Sequence, residues 1–144
     1  EVMLELAQAI IRDGEGATKF VTIEVSEARS QEEARAVGFT VAHSPLVKTA
    51  LYASDANWGR ILAAVGRAPL EELDVTGVAI TLNGVTIVEQ GGRADSYTEA
   101  AGSAAMAEEE LVIGIRLGRG QQEARIWTSD LSHDYVSINA DYRS

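Results

Sequence analysis

The chain has 144 residues, 46% of them hydrophobic, which is enough for one domain with a buried core. Twelve Lys and Arg residues against 22 Asp and Glu residues give a net charge of −10, which disfavours nucleic acid and anionic membranes as partners. The chain has no cysteine and no apolar stretch approaching the roughly 20 residues of a membrane span. We therefore expect an untargeted cytoplasmic protein.

The first half of the chain shows mainly helical patterns. Strong N-cap residues precede three of its apolar segments, and a β-rich segment with apolar residues on both faces predicts a central strand. The predicted elements are a helix over 2–12, a strand over Lys19–Ala28, a helix over 31–43 behind the capping box Ser30–Glu33, a short helix from Ser44-Pro45 and a helix after Asp55–Asn57.

The second half is richer in strands and turns. Asn83-Gly84 is a favoured two-residue hairpin turn, and Gly118–Gly120 predicts a turn that pairs the strands before and after it. The predicted elements are strands over Val75–Thr81 and Val85–Glu89, a loop over Gly91–Ser96, a helix over Tyr97–Glu110, strands over Leu111–Leu117 and Ala124–Thr128, and a last short helix around Tyr135–Ile138.

These elements together predict an α+β fold in which helices pack on a largely antiparallel or mixed β-sheet. We expect a single domain over residues 1–144. A polar break at 66–74, which contains Pro69, is a candidate boundary of a small subdomain.

The segment Arg12–Lys19 joins the first predicted helix to the first predicted strand, and half of its residues are charged. Glycines on both sides of Glu15 allow a tight turn that presents the carboxylate, which can then accept a charge-assisted hydrogen bond from an ammonium group. The alternative is that Gly14 only ends the helix and that Asp13 and Lys19 are solvated loop charges. The residues alone leave both interpretations open.

Four stretches of the chain carry a family resemblance in one consistent order: Arg12–Phe20, Ser44–Ala50, Asn57–Ile61 and Asp134–Ser144. Together they resemble the ornithine acetyltransferase family, the glutamate N-acetyltransferases of arginine biosynthesis. The resemblance implies a self-cleaving acyltransferase fold with an N-terminal threonine nucleophile. Members are made as one precursor that cleaves itself before that threonine into alpha and beta chains, which stay together as a hetero-oligomer.

The chain opens with Glu1 and no initiator Met, already inside an amphipathic pattern. This start suggests a cut product or a piece of a longer protein, and the resemblance makes it the C-terminal part of the beta chain. The threonine nucleophile and the oxyanion hole would then lie upstream. We therefore expect no catalytic residue in this segment, and no activity from the segment alone.

The resemblance implies that Glu15, Asn139 and Ser144 bind substrate, with Glu15 facing the cationic end of ornithine. An amide such as that of Asn139 can both donate to a carboxylate and accept from an amine, although the residue alone would favour a cap or turn. Ser144 would otherwise be a frayed terminal residue. Arg12, Asp13 and Lys19 would support the turn as an ion network; Lys19 facing a substrate carboxylate is the alternative.

The reaction implied is transfer of an acetyl group from N-acetylornithine to glutamate by a ping-pong mechanism through the threonine. No metal or organic cofactor is expected, although some members also accept acetyl-CoA. Two alternatives stay open, a related self-processing amidohydrolase and a non-catalytic amino-acid-binding or interaction domain. His43 and His133 are expected to be bystanders, Trp58 a core or interface aromatic, and Arg60 a buried ion-pair partner.

Overall fold

The computed structural model of the chain describes residues 19–129. We number the elements of this part in chain order. They are β1 (Phe20–Ala28), α1 (Gln31–Ala42), α2 (Pro45–Tyr52), α3 (Trp58–Gly66), a 3-10 turn (Val75–Gly77), β2 (Ala79–Leu82), β3 (Val85–Glu89), β4 (Gly92–Arg93), α4 (Glu99–Met106), β5 (Glu110–Arg116) and β6 (Gln122–Ser129). The helices predicted over 2–12 and around Tyr135–Ile138 lie outside the described residues.

The six strands form one mixed sheet in the order β4-β3-β2-β5-β1-β6. β1 pairs parallel with β5, and the other neighbouring strands pair antiparallel. Ile23 in β1 lies opposite Ile113 on one side and Ile126 on the other. The predicted fold class is therefore confirmed, and so is the central position of the first strand.

One face of the sheet carries the buried core. In β1 the buried residues Val21, Ile23 and Val25 alternate with half-buried polar residues, as expected when one face meets helices and the other does not. The helices complete the core with their own buried apolar residues, namely Ala34, Val37, Val41, Val47, Leu51, Ile61, Ala64, Val65 and Met106. Gly38 brings α1 within contact distance of β6, where a Cβ would lie 2.5 Å from the Cγ1 atom of Ile126.

Side-chain caps explain where the helices begin. The hydroxyl of Ser30 accepts a hydrogen bond from the Glu33 N–H at 3.0 Å at the start of α1. Ser44, Asn57 and Thr98 cap the other three helices in the same way, each accepting from the backbone N–H three residues later. The three predicted helix starts in the first half of the chain are thus confirmed.

The predicted hairpin between Leu111–Leu117 and Ala124–Thr128 is wrong, because β1 lies between these two strands. The connection wraps around the end of β1 instead, and the N–H groups of Arg119 and Gly120 both donate to the Glu27 carbonyl, at 2.8 and 3.0 Å. The apolar β1 is buried on its core face, and its position between two partners satisfies the hydrogen bonds of both of its edges.

Two predictions about the β2 region need correction. The strand predicted over Val75–Thr81 begins at Ala79, because Asp74 accepts from the Thr76 N–H and caps a 3-10 turn. The loop predicted over Gly91–Ser96 contains the short strand β4, which pairs with β3. Gln90 and Gly91 have φ angles of 51° and 75°, so they form a second two-residue hairpin turn of the kind that Asn83-Gly84 provides.

The helix predicted over Tyr97–Glu110 is shorter than expected. It starts behind Thr98 and ends at Met106, before the acidic run Glu108–Glu110. Acidic side chains are unfavourable at a helix C-terminus, which carries the negative end of the helix dipole. The run instead leads into β5. A subdomain boundary near 66–74 stays a prediction.

Candidate functional site

Lys19 is the last residue of the segment Arg12–Lys19, which we call the glycine-rich segment. It is the predicted site residue that falls within residues 19–129. It is only 7% exposed. Its ammonium group donates to the Met106 carbonyl at 2.5 Å and approaches the Glu108 carbonyl at 3.4 Å. A cation at this place satisfies a carbonyl of the last turn of α4 and meets the negative end of the helix dipole.

The backbone next to Lys19 is held by the same part of the chain. The Phe20 N–H donates to the Glu109 carbonyl at 2.8 Å, and β1 then runs parallel to β5 from the pair Phe20 and Glu110. The start of β1 is therefore fixed to the connection between α4 and β5 by both a side chain and a main-chain group. The positions of Lys19 and Phe20 at the start of the sheet are therefore fixed.

Five other predicted site residues lie outside the described residues: Arg12, Asp13, Glu15, Asn139 and Ser144. Their grouping with Lys19 into one site stays a prediction. His133 lies outside as well. His43 is exposed at the C-terminal end of α1, where its ring centroid lies 5.8 Å from that of Phe39.

The motif Ser44–Ala50 forms the start and middle of α2. The buried hydroxyl of Ser44 accepts from the Val47 N–H at 3.3 Å and from Nη2 of Arg67 at 3.2 Å, so it caps α2 and ties it to the end of α3. Lys48 projects from the same helix and is 5% exposed. Sequence reasoning missed this burial, because lysine is normally a surface residue unless it is paired.

The motif Asn57–Ile61 starts α3. Asn57 caps the helix by accepting from the Arg60 N–H at 3.1 Å, and Nη1 of Arg60 donates to the Leu46 carbonyl at 3.2 Å. Among the described residues the Arg60 guanidinium meets a neutral carbonyl, and its expected buried ion pair stays a prediction. Trp58 packs against the core, as predicted. These two motifs hold α2 and α3 side by side.

Lys19 and Lys48 are the two lysines of the whole chain, and both are buried. Both also belong to stretches that carry the family resemblance. A buried ammonium group is costly unless it is hydrogen-bonded, so neither residue is a generic surface charge. Lysine is rare in this chain, because ten of the twelve cationic residues are arginines. This rarity is the signal in the sequence that could have drawn attention to the two lysines.

The sheet face opposite the core carries a groove of about 540 Å³. In its lining, Nε of Arg125 in β6 lies 3.1 Å from a carboxylate oxygen of Glu24, its cross-strand neighbour in β1. Lys19 does not line this groove. Within residues 19–129, no three His, Asp or Glu side chains group as metal ligands, and none of the helices found there is long and apolar enough to cross a membrane.

The mixed sheet with helices on its core face has a clear counterpart among solved structures. The crystal structure of arginine biosynthesis bifunctional protein ArgJ from Bacillus halodurans matches with a TM-score of 0.82 and 37% identity, over 96% of this chain and 64% of that chain. The fold is therefore that of an ArgJ protein.

Sequence comparison gives the same result over the whole length. The arginine biosynthesis bifunctional protein ArgJ of Pseudomonas syringae pv. tomato is 61% identical over 144 residues, which is all of this chain and 36% of that protein. The ArgJ protein of Neisseria meningitidis serogroup A is 57% identical over 141 residues, 98% of this chain and 35% of that protein. The profile of the ArgJ family matches residues 1–144, and the chain belongs to this family. It spans about a third of the length of these curated relatives.

Proposed function

We propose that this chain is the C-terminal part of the beta chain of a glutamate N-acetyltransferase, which moves an acetyl group from N-acetylornithine to glutamate in arginine biosynthesis. The family match over residues 1–144 carries the proposal. The relatives from Pseudomonas and Neisseria are named as bifunctional proteins of arginine biosynthesis, which agrees with this reaction.

In the proposed reaction an upstream threonine hydroxyl attacks the acetyl carbonyl of N-acetylornithine. The amide bond breaks, ornithine leaves with the proton, and an acetyl-threonine ester remains. The amine of glutamate then attacks this ester, N-acetylglutamate leaves, and the threonine hydroxyl regains its proton. Upstream N–H and side-chain donors hold the oxyanion. No metal or organic cofactor takes part, and acetyl-CoA is an additional acetyl donor to test.

This chain contributes residues that bind the substrate. Glu15 accepts from the side-chain ammonium of ornithine, and Asn139 and Ser144 bind the amino-acid end of the substrate. The chain has no nucleophile of its own and is inactive alone. The active protein is a cytoplasmic hetero-oligomer of alpha and beta chains made by self-cleavage of one precursor.

An intact-mass spectrum of the full-length protein under denaturing conditions tests the self-cleavage. We expect two masses, one for an upstream chain and one for a longer chain that begins with threonine and contains residues 1–144. A single uncleaved mass would contradict the proposed processing.

The glutamate dependence of ornithine release separates transfer from hydrolysis. For a transferase, ornithine release from N-acetylornithine rises steeply with added glutamate, and N-acetylglutamate appears in equal amount. Equal release with and without glutamate, with free acetate as product, would instead identify the related amidohydrolase. No turnover of either kind by a cleaved, folded protein would leave a binding or interaction domain.

The predicted role of Ser144 has its own test. Deletion of Arg143 and Ser144 should lower turnover far more than thermal stability, because the lost contacts are made to substrate. Unchanged turnover in the shortened protein would remove Ser144 from the site.

A further inference from the structure

Helix α2 exposes large apolar side chains to an unusual degree. Among residues 19–129 three large hydrophobic side chains are exposed, and two of them, Leu46 at 53% and Tyr52 at 66%, lie on this eight-residue helix. The other exposed positions of the helix are Pro45 and Thr49. We call these four residues the α2 face. Clustered exposed apolar surface of this kind marks interaction sites in soluble proteins.

The α2 face also carries no charge, although the chain has a net charge of −10. The one charged residue of α2 is Lys48, and it is buried. The preceding helix α1 shows the usual pattern of a solvated helix, since it exposes Gln31, Glu32 and Arg35. Depletion of charge together with an exposed tyrosine is the composition found at the core of protein–protein interfaces.

The polar groups at the centre of this face do not need water. The Thr49 hydroxyl donates to the Pro45 carbonyl at 2.8 Å, and Pro45 has no N–H group of its own. A partner can therefore cover this centre without leaving a buried polar group unpaired, which would be costly. The Tyr52 hydroxyl lies at the end of a long side chain and can stay at a solvated rim.

The spacing of these residues suits a two-fold axis. Thr49 lies three residues after Leu46 and three before Tyr52, so the two large side chains are about 4.5 Å from it in opposite directions along the helix. Around the helix they lie about 60° to either side of Thr49. Two copies of α2 that meet antiparallel at Thr49 would place Leu46 of each copy beside Tyr52 of the other, as a self-complementary interface requires.

Charged residues at the two ends of the face favour the same arrangement. Arg60 reaches the first turn of α2, where its Nη1 donates to the Leu46 carbonyl at 3.2 Å. Asp55 is exposed and follows the C-terminal end of α2, where its N–H donates to the Ala50 carbonyl at 2.8 Å. Antiparallel pairing brings Arg60 of one copy toward Asp55 of the other, whereas parallel pairing would bring like charges together.

We propose that the α2 face is the centre of an interface between two copies of this chain, related by a two-fold axis near Thr49. Two copies that each carry a net charge of −10 repel over most of their surface, so they meet at an uncharged, self-complementary face. The contact continues onto flanking exposed residues, because one face of a helix about 12 Å long is smaller than a stable interface needs. The interface does not depend on the reaction proposed above.

The first test is the mass of the native full-length protein, measured by light scattering at micromolar concentration and expressed as a number of copies. We expect an even number for the wild type. Leu46→Glu buries an unpaired charge twice in each two-fold contact, so the dissociation constant should rise at least about 100-fold and the number of copies should halve.

Val112→Glu is the matched control for this measurement. Val112 is the third exposed large hydrophobic residue, and it lies in β5 on the sheet face opposite the helices. The same chemical change there should leave the mass unchanged.

A pair of complementary variants tests the antiparallel geometry. Tyr52→Lys should weaken self-association as Leu46→Glu does. When the two variants are co-expressed with different tags, the introduced carboxylate of one copy lies beside the introduced ammonium of the other, and the second contact keeps its native residues. Association should therefore recover, and native mass spectrometry should find one copy of each variant in the recovered species.

Four results would overturn the proposal. They are a single copy in the wild type, an unchanged mass in the α2 variants, no recovery on co-expression, and loss of an upstream chain instead of a second copy in Leu46→Glu. The last would show that the upstream part of the protein covers α2. Should Leu46→Glu fail to accumulate as folded protein, Tyr52→Lys, at the more exposed position, decides by the same mass measurement. All of these readouts are independent of acetyl transfer, so they are separate from a failure of the proposed function.

Discussion

The two ends of the central strand β1 are each held near a buried cation, but the cations meet different partners. At the start, the Lys19 ammonium meets main-chain carbonyls at the end of α4. At the other end, the Arg119 guanidinium lies 3.1 Å from the Glu33 carboxylate, and these side chains are only 8% and 10% exposed. The start of β1 follows directly after the segment with the predicted substrate residues, whereas the other end is held by the connection between β5 and β6.

The C-terminal end of β1 contains a β-bulge between Val25 and Ala28, and the connection between β5 and β6 binds to it. Glu27 has a φ of 57°, and its carbonyl accepts the N–H groups of Arg119 and Gly120. Arg119 also donates to the carbonyls of Glu71 and Glu72 at 2.8 and 3.0 Å, which ties the 66–74 segment to α1. Burial of a cation alone therefore does not indicate function. The far end should determine stability, whereas the near end is the one that continues into the segment with the predicted substrate residues.

The largest effect on stability is expected from Arg119→Met. Removing one partner of a buried ion pair leaves the other charge uncompensated, so the free energy of unfolding should fall by about 3–5 kcal/mol. Urea unfolding of the full-length protein measures this loss. A loss below about 1 kcal/mol would show that Glu33 is not held as a buried charge, and the contrast between the two ends would weaken.

Gly120→Ala should cost less, about 1–3 kcal/mol, through overpacking. A Cβ at this position would lie 2.4 Å from the Ala28 carbonyl oxygen and 3.0 Å from the Cα of Arg29, and such backbone atoms cannot move aside easily. Gly92→Ala is the matched control, because a Cβ there meets nothing within 4 Å. Equal unfolding midpoints for the two variants would contradict the tight packing of Gly120 against the end of β1.

A smaller effect is expected at alkaline pH, at the near end. Burial, and after it the Glu99 carboxylate, raise the pKa of the Tyr97 phenol just before α4 above the usual 10.0. Above that pH the unfolded chain loses this proton before the folded one does, so stability falls as pH rises. The Tyr97→Phe variant should lose stability less steeply as the pH rises above about 10. The same slope for wild type and Tyr97→Phe would mean that the buried phenol does not contribute to the alkaline loss.

Local features of the fold could be predicted from the sequence. Ser30, Ser44 and Asn57 each begin a helix because their side chains satisfy a free N–H group, and Asn83-Gly84 forms its hairpin because both residues tolerate positive φ. These signals act within a few residues. The second hairpin turn at Gln90 was missed, since glutamine is not typical of positive φ.

Long-range features could not be predicted. The strand partner of β6 is β1, about a hundred residues earlier in the chain, and no local pattern indicates which strand will lie between β5 and β6. Likewise, the burial of Lys19 depends on the end of α4, 87 residues away in sequence. The substrate residues were predicted from the family resemblance, and of that site the described residues include Lys19.

In the proposed function, Glu15 of the segment Arg12–Lys19 binds substrate. The most direct test is the rate of acetyl transfer from N-acetylornithine to glutamate by full-length Glu15→Gln, alongside its unfolding temperature. We expect near-complete loss of transfer with an unchanged unfolding temperature, because Gln keeps the shape of Glu15 and removes only its charge. Full transfer activity in this variant would show that Glu15 does not bind substrate.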